Sequence, residues 1–176
     1  LAAIYTEQFY DTFGYDERNE LAYRAAKQAT AERLMQLAER HVRPGRLLDV
    51  GSGLGDMLVV ARRRGWEAWG VEPNAYACRI SDRLAPGTVL RRSLEGLPPR
   101  MGSFDLVTCT EVLEHLRRPD GALARIHGLL RPGGGLLLTT PDAGCLMSRL
   151  QRSRWWHYHR DHLWYFDRRT LSQLAE

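Results

Sequence analysis

Hydrophobic positions along the chain follow two rhythms. From Leu21 to Val42 they are spaced among Ala, Leu, Glu and Arg, all good helix formers, and Pro44-Gly45 stops the run. Ahead of it, Tyr5, Phe9, Tyr10 and Phe13 lie close to helical spacing, so residues 1–44 read as a helical cap. From Arg46 onward short apolar runs alternate with amphipathic ones. Strands are expected at Arg46–Val50, Glu67–Val71, Thr88–Leu90, Phe104–Cys109 and Gly135–Thr140. Helices are expected at Met57–Arg64, Asn74–Leu84, Glu111–Leu116 and Asp120–Leu130, with a turn at Arg131-Pro132-Gly133-Gly134. Strands alternating with helices at this spacing predict an α/β fold with a mainly parallel, doubly wound sheet over residues 45–142. Past Asp142 the pattern changes. Trp155, Trp156, Tyr158, Trp164, Tyr165 and Phe166 crowd together, interleaved with His157, His159 and His162, and a last helix begins at Arg169.

Composition narrows the class. A chain of 176 residues with 44% hydrophobic and 26% charged residues is one globular domain. No apolar run reaches the ~18 residues of a membrane span. The first residues lack a basic stretch followed by an apolar one, so no secretory signal is expected. Cys78, Cys109 and Cys145 form no close-spaced pair, which disfavours a disulfide framework or metal knuckle and suits a reducing, cytoplasmic setting. The net charge of +4 is almost entirely arginine, Lys27 being the only lysine. The arginines are scattered rather than gathered on one face, which makes nucleic acid an unfavoured partner. Arg62-Arg63-Arg64 falls where a helix should end, a place the helix dipole favours for cations.

The sharpest chemical signal is a strand running into Gly51-Ser52-Gly53-Leu54-Gly55, ahead of a helix. Glycines there let the backbone approach a ligand closely. A dinucleotide fingerprint would need a third glycine where Asp56 stands. Asp49, just before the loop, would repel a pyrophosphate and favour a cation. Glu72, ending the second strand in Val71-Glu72-Pro73, is placed to accept hydroxyls of an adenosine ribose. The alternative for Asp49 is a solvated turn residue.

These segments, with Phe104 through Leu116 and Leu129-Leu130-Arg131-Pro132-Gly133-Gly134-Gly135, resemble the class I S-adenosylmethionine-dependent methyltransferases over residues 45–142. Within that class the chain is similar to the type 11, 12 and 23 small-molecule enzymes and to the ubiquinone-pathway O-methyltransferases; His162-Leu163-Trp164-Tyr165-Phe166 and Thr170-Leu171 also resemble that branch. The resemblance implies a Rossmann-like fold with N-terminal helices, S-adenosylmethionine as cofactor and adenosylhomocysteine as product. It implies that Asp49, Gly51, Ser52 and Gly53 surround the methionine portion, that Glu72 and Pro73 lie at the ribose, and that Cys109 and Thr110 lie beside the methionine portion. Ser93 and Leu94 take the place where the family often has an Asp at the adenine. Arg24 resembles an arginine that reaches the cofactor carboxylate, against the usual solvation of a helical arginine. The family's sheet has seven strands and five are visible, so a trimmed chain is expected. The edge strand at Gly135–Thr140 is an association liability, and a homodimer is one way to cover it.

An oxygen acceptor needs a base. His115 and His162 are the main candidates, with His157, His159 and Asp161 nearby. Glu111, Glu114 and His115 stand at i, i+3 and i+4, on one face if helical. With His162 they resemble the metal set of small-RNA 2′-O-methyltransferases, although the same pattern also occurs without metal. The aromatic run reads either as a lid over the acceptor or as core packing, and Trp155 and Trp156 cannot both face one core. Three functions follow: methyl transfer to a small-molecule acceptor, foremost a hydroxyl oxygen; metal-assisted 2′-O-methylation of RNA ends; or a non-catalytic cofactor-binding partner subunit. A dinucleotide oxidoreductase is disfavoured by Asp49 and Asp56. The division expected is residues 1–44 as cap, 45–142 as cofactor-binding core and 143–176 as acceptor-side lid and last helix.

Overall fold

The computed structural model describes residues 19–98 and 101–176; the aromatic set Tyr5, Phe9, Tyr10 and Phe13 lies outside them. Helix α1 (Glu20–Ala38) leads into strand β1 (Arg46–Val50). Then follow α2 (Asp56–Arg63), β2 (Glu67–Val71), α3 (Ala75–Leu84), β3 (Val89–Leu90), β4 (Phe104–Thr110), α4 (Pro119–Leu129) and β5 (Leu130–Thr139). Two further helices, α5 (Leu146–Gln151) and α6 (Arg168–Ala175), lie beyond the sheet. The five strands run in the order β3-β2-β1-β4-β5, and every pairing is parallel. This is the expected doubly wound, Rossmann-like architecture, with β5 at one edge of the described sheet.

Period-two alternation explains why both faces of the sheet must be covered. Leu47 and Leu106 point into a cluster with Met35, Leu58 and Trp66 from the α1–α2 side. Their neighbours Leu48 and Val107 point the other way, into a cluster with Ile126 and Leu129 of α4 and with Phe166. Arg64, which caps α2, forms ion pairs with Glu32 and Glu39, and the Trp66 indole also donates to Glu39 at 3.0 Å. These contacts tie α1 to the sheet. The arginine triple therefore does end a helix, as the dipole argument required.

Two elements differ from expectation. Strand β5 begins at Leu130, but Phe104 pairs with Leu130 and Leu106 with Gly135, so Arg131–Gly134 bulge out of the ladder where a turn was expected. The segment Glu111–Leu116 is not an α-helix; it holds only a 3₁₀ turn at Leu113–His115, and Glu111 is left-handed at φ +55°. The short α5 had no counterpart in the sequence reading. Helix α6 starts one residue early because Asp167 and Thr170 cap it reciprocally, each side chain accepting from the other's backbone N–H.

Met35 is fully buried where α1 meets the α2 side of the core. Met35→Ala is expected to lower stability by about 2–5 kcal/mol in urea denaturation, through lost burial and the cavity left behind. A loss within experimental error would mean that α1 does not pack as described.

Candidate active site

All five strands point their carboxyl ends at one edge, the edge where open α/β sheets bind ligands. There β1 gives way to the glycine loop. Gly51, Gly53 and Gly55 all have positive φ, at +70°, +50° and +88°. The loop is pinned to its neighbour strand: the Gly51 and Ser52 N–H groups donate to the Val71 carbonyl at 2.8 and 3.2 Å. A Cβ on Gly51 would lie 2.5 Å from Val112 Cγ2, just past β4, so glycine is required there for space as well as for conformation.

Asp49 is 2% exposed and sits between Gly70 of β2 and Thr108 of β4 in register. Thr108 donates its hydroxyl to Asp49 Oδ1 at 2.6 Å. Burial pushes the Asp49 carboxyl up to about 7, against the Thr108 hydrogen bond and with the help of nearby Glu72. Glu72 is buried one residue past β2. Its Oε2 accepts from the Gly53 N–H at 3.0 Å and its Oε1 from the Asn74 N–H at 2.8 Å. Burial raises its pKa too, partly countered by those two bonds. Among the described residues no cation offsets either carboxylate. Asp49 is therefore not a solvated turn residue.

The other residues singled out by sequence divide. The Ser52 side chain is buried, and the space a Gly70 Cβ would need is taken by its Cβ and Oγ, so only its backbone faces the loop. Cys109 is fully buried in the α4-side core, where its thiol is pushed up to about 12 by burial. Its side chain therefore cannot be a ligand contact. Thr110 ends β4 half-buried, Pro73 and Ser93 are exposed, and the Leu94 side chain belongs to the core. Arg24 is 7% exposed and paired with Glu20 at 2.7 Å and Asp56 at 3.3 Å. Asp56 opens α2 and also accepts from Gln28 at 3.0 Å. The residue standing where a third fingerprint glycine would be thus binds the cap helix to the glycine loop.

On the acceptor side the candidate set is smaller than the sequence spacing suggested. Glu114, His115 and His162 each bring one ligand-type atom within 4.8 Å of the others. Glu111 is outside this group; its exposed carboxylate accepts from Thr139 Oγ1 at 3.1 Å. The cause is the missing α-helix, which removes the shared face. Glu114 accepts from Thr140 Oγ1 at 2.9 Å through Oε2, while Oε1 is buried with no hydrogen-bond partner among the described residues. Burial lifts its carboxyl to about 7. His115 Nδ1 lies 3.0 Å from the Asp161 carbonyl oxygen and 3.4 Å from its carboxylate. Because a carbonyl only accepts, Nδ1 carries the hydrogen in neutral His115 and Nε2 is left as the acceptor nitrogen. Burial and the facing His115 ring, 4.7 Å away, press His162 down to about 4.

The segment carrying His162 is held by the same turn. The Glu114 carbonyl accepts from both Leu163 and Trp164 N–H, at 2.8 and 3.1 Å, and the Trp164 indole donates to the Leu116 carbonyl at 2.8 Å. Of the tryptophan pair, Trp155 is 3% exposed and Trp156 is 66% exposed, so the two do face apart. Sequence reasoning missed Thr108, Asn74 and Thr140. Thr108 was findable in principle, since pairing β1 with β4 at their carboxyl ends puts it beside Asp49.

A methyltransferase domain model matches residues 5–176, so the chain belongs to the methyltransferase domain family. The chain is 32% identical over 133 residues to a ubiquinone/menaquinone biosynthesis C-methyltransferase of Burkholderia vietnamiensis, covering 70% of this chain and 54% of that protein. It is 34% identical over 101 residues to a ubiquinone biosynthesis O-methyltransferase of Ralstonia nicotianae, covering 54% and 42%. The chain thus spans about half the length of these curated relatives. In fold it is similar to the plantazolicin methyltransferase BpumL, solved in complex with SAH, at a TM-score of 0.75 and 15% identity over 97% of this chain and 69% of that one. The family resemblance carried by the motifs is therefore borne out. Among the described residues no helix is long and apolar enough to cross a membrane.

A raised carboxyl pKa binds its proton more tightly in the folded chain than in the unfolded one. Its contribution to stability is complete below the unfolded pKa near 4 and is lost as the pH rises through the folded value of about 7. Glu72 and Glu114 shift in the same direction. The ligand-free protein should lose stability between pH 5 and 8, and Asp49→Asn should make that loss smaller by roughly 1–4 kcal/mol. Urea denaturation at both pH values checks this; an unchanged slope would remove Asp49 as a contributor.

Proposed function

We propose that the chain transfers a methyl group from S-adenosylmethionine to a small-molecule acceptor, at a hydroxyl oxygen. The observation that carries the reading is the pair of buried, uncompensated carboxylates, Asp49 and Glu72, at the ends of adjacent strands beside the glycine loop. A cationic ligand that also carries hydroxyls fits that pair; a pyrophosphate does not. The tight glycine turn, which brings bare backbone to the ends of the strands, suits the methionine portion. When bound, the sulfonium supplies an electrophilic methyl group and a neutral thioether leaving group.

Each residue then has a definable task. Asp49 holds negative charge next to the loop, where low water content strengthens its attraction for a cation. Glu72 spends one lone pair of each oxygen on Gly53 and Asn74, which fixes its plane and leaves the others for ribose hydroxyls. Pro73 flanks the ribose, and the Thr110 and Cys109 backbone borders the methionine portion. The Ser93 hydroxyl and the Leu94 N–H serve the adenine, because the Leu94 side chain is committed to the core.

His115 is the base for a hydroxyl acceptor. Its Nδ1 hydrogen is engaged by Asp161, so Nε2 can take the acceptor's proton as the oxygen is methylated. His162, with its pKa near 4, stays neutral at pH 7 and orients the acceptor without adding charge. The loop from Trp155 to Phe166 is the lid that excludes water. Curated relatives named for ubiquinone synthesis support a small acceptor, and they include both a C- and an O-methyltransferase. The oxygen reading rests on His115.

One observation favours a variant of this reading. Among the described residues Glu114 Oε1 and His162 Nδ1 are buried without hydrogen-bond partners, beside His115. One carboxylate and two imidazoles suit a divalent ion such as Mn or Fe(II). An ion held by Glu114, His115 and His162 would polarise a hydroxyl acceptor. Glu111 is not part of that set.

Asp49→Ala should weaken adenosylhomocysteine binding at least tenfold in calorimetry, and unchanged affinity would sink the assignment of the loop. Glu72→Ala should weaken adenosylhomocysteine more than free methionine, which lacks the ribose. If a metal assists, a chelator abolishes turnover and manganese restores it; indifference to chelator retires the metal.

A further inference from the structure

We infer that the segment Leu146–Arg160 is a docking surface for anionic lipid bilayers, on which the protein sits without crossing. Of the six residues of α5 only Ser148 is buried, and its hydroxyl donates to the Ala143 and Cys145 carbonyls at 2.5 and 2.9 Å. At 100° per residue Leu146, Met147 and Leu150 all lie at least 100° around the helix from Ser148, with Leu146 and Leu150 on the opposite side. They are 69%, 51% and 67% exposed, and Trp156, a few residues on, is 66% exposed. The helix is thus anchored by a polar residue and turned outward by its apolar ones, the reverse of what a soluble surface helix does.

Charge identifies the occupant. Arg149, Arg152, Arg154 and Arg160 are all exposed, and none is in an ion pair among the described residues. Between Ala143 and Arg160 there is no acidic residue. The flanking acids are engaged elsewhere: Asp142 accepts from the Gly144 N–H, and Asp161 faces His115. Apolar side chains with a tryptophan among them, bordered by arginines, match an interface of acyl chains and anionic headgroups. A second copy of this chain would bring arginines against arginines. A nucleic acid would satisfy the arginines and leave three aliphatic side chains in water.

The surface is continuous with the candidate acceptor side. The Trp156 ring lies 3.6 Å from the His157 ring, which lies 6.4 Å from that of His162. A docked protein would therefore open its acceptor side toward the bilayer. Docking needs neither cofactor nor turnover, so it stands or falls separately from methyl transfer.

The test is cosedimentation of the full chain with vesicles of phosphatidylcholine alone or mixed with phosphatidylglycerol. Binding is expected to the mixed vesicles, to be at least tenfold weaker to the neutral ones, and to fall in 0.5 M salt. Two variants should each lose at least tenfold in affinity while keeping the wild-type melting temperature: Leu146→Ser with Leu150→Ser, and Arg152→Ser with Arg154→Ser. Several-fold weakening per arginine is the expected scale. No binding to mixed vesicles, or variants that bind as wild type, would overturn the proposal. So would a wild-type dimer that Leu146→Ser with Leu150→Ser dissociates, or retention on single-stranded RNA in place of vesicles.

Discussion

Two carboxylates held out of water on neighbouring strands set the terms for the rest of this fold. Parallel pairing puts Asp49 opposite Gly70, with Glu72 two residues further along the chain, just past the end of that partner strand. Burial favours the neutral form of both groups, and the nearby Glu72 carboxylate adds to that at Asp49. The chain answers with every donor the location allows: the Thr108 hydroxyl, the Gly53 N–H and the Asn74 N–H. These donors tolerate the charge without cancelling it. A site so arranged remains short of one positive charge, which makes it selective before any ligand shape is considered.

The glycine loop is constrained from three directions. Val71 holds its first N–H groups, Val112 presses on Gly51, and the Arg24–Asp56 pair draws α1 onto the start of α2. A Cβ on Gly55 would run into the Ser81 hydroxyl of α3, closing the loop from beneath. The N-terminal helix is therefore not an appendage. It packs its apolar side on the sheet and contributes a buried cation to the loop's exit, so displacement of α1 would be felt at the ligand edge.

Much of this was legible in the residues, and the failures have identifiable causes. Strand positions and the carboxylates at the ends of β1 and β2 were readable because period-two burial and turn glycines are local signals. Thr108 was not, because its partnership with Asp49 depends on the order of strands in the sheet. Glu111 was placed wrongly on a helix because helical spacing in sequence cannot see the left-handed residue that breaks it. Arg24 read either as an arginine reaching the cofactor carboxylate or as a solvated helical one, since nothing local reveals that Asp56 waits across the helix interface. Cys109 looked like a lining residue because it borders Thr110, yet alternation turns its side chain into the core. The α5 segment escaped notice because its apolar residues face outward, against the pattern used to find helices.

Glu114 belongs to two structures at once. Its side chain points among the histidines, and its backbone carbonyl receives both N–H groups that begin the Leu163–Trp164 strap. The turn after β4 and the aromatic segment some fifty residues later therefore share a single hinge pin. Variation in one cannot be sampled freely without the other. Exchange of either segment on this scaffold would have to carry the other along as a cassette, and a chimera with only one of them would inherit a wall with no foundation.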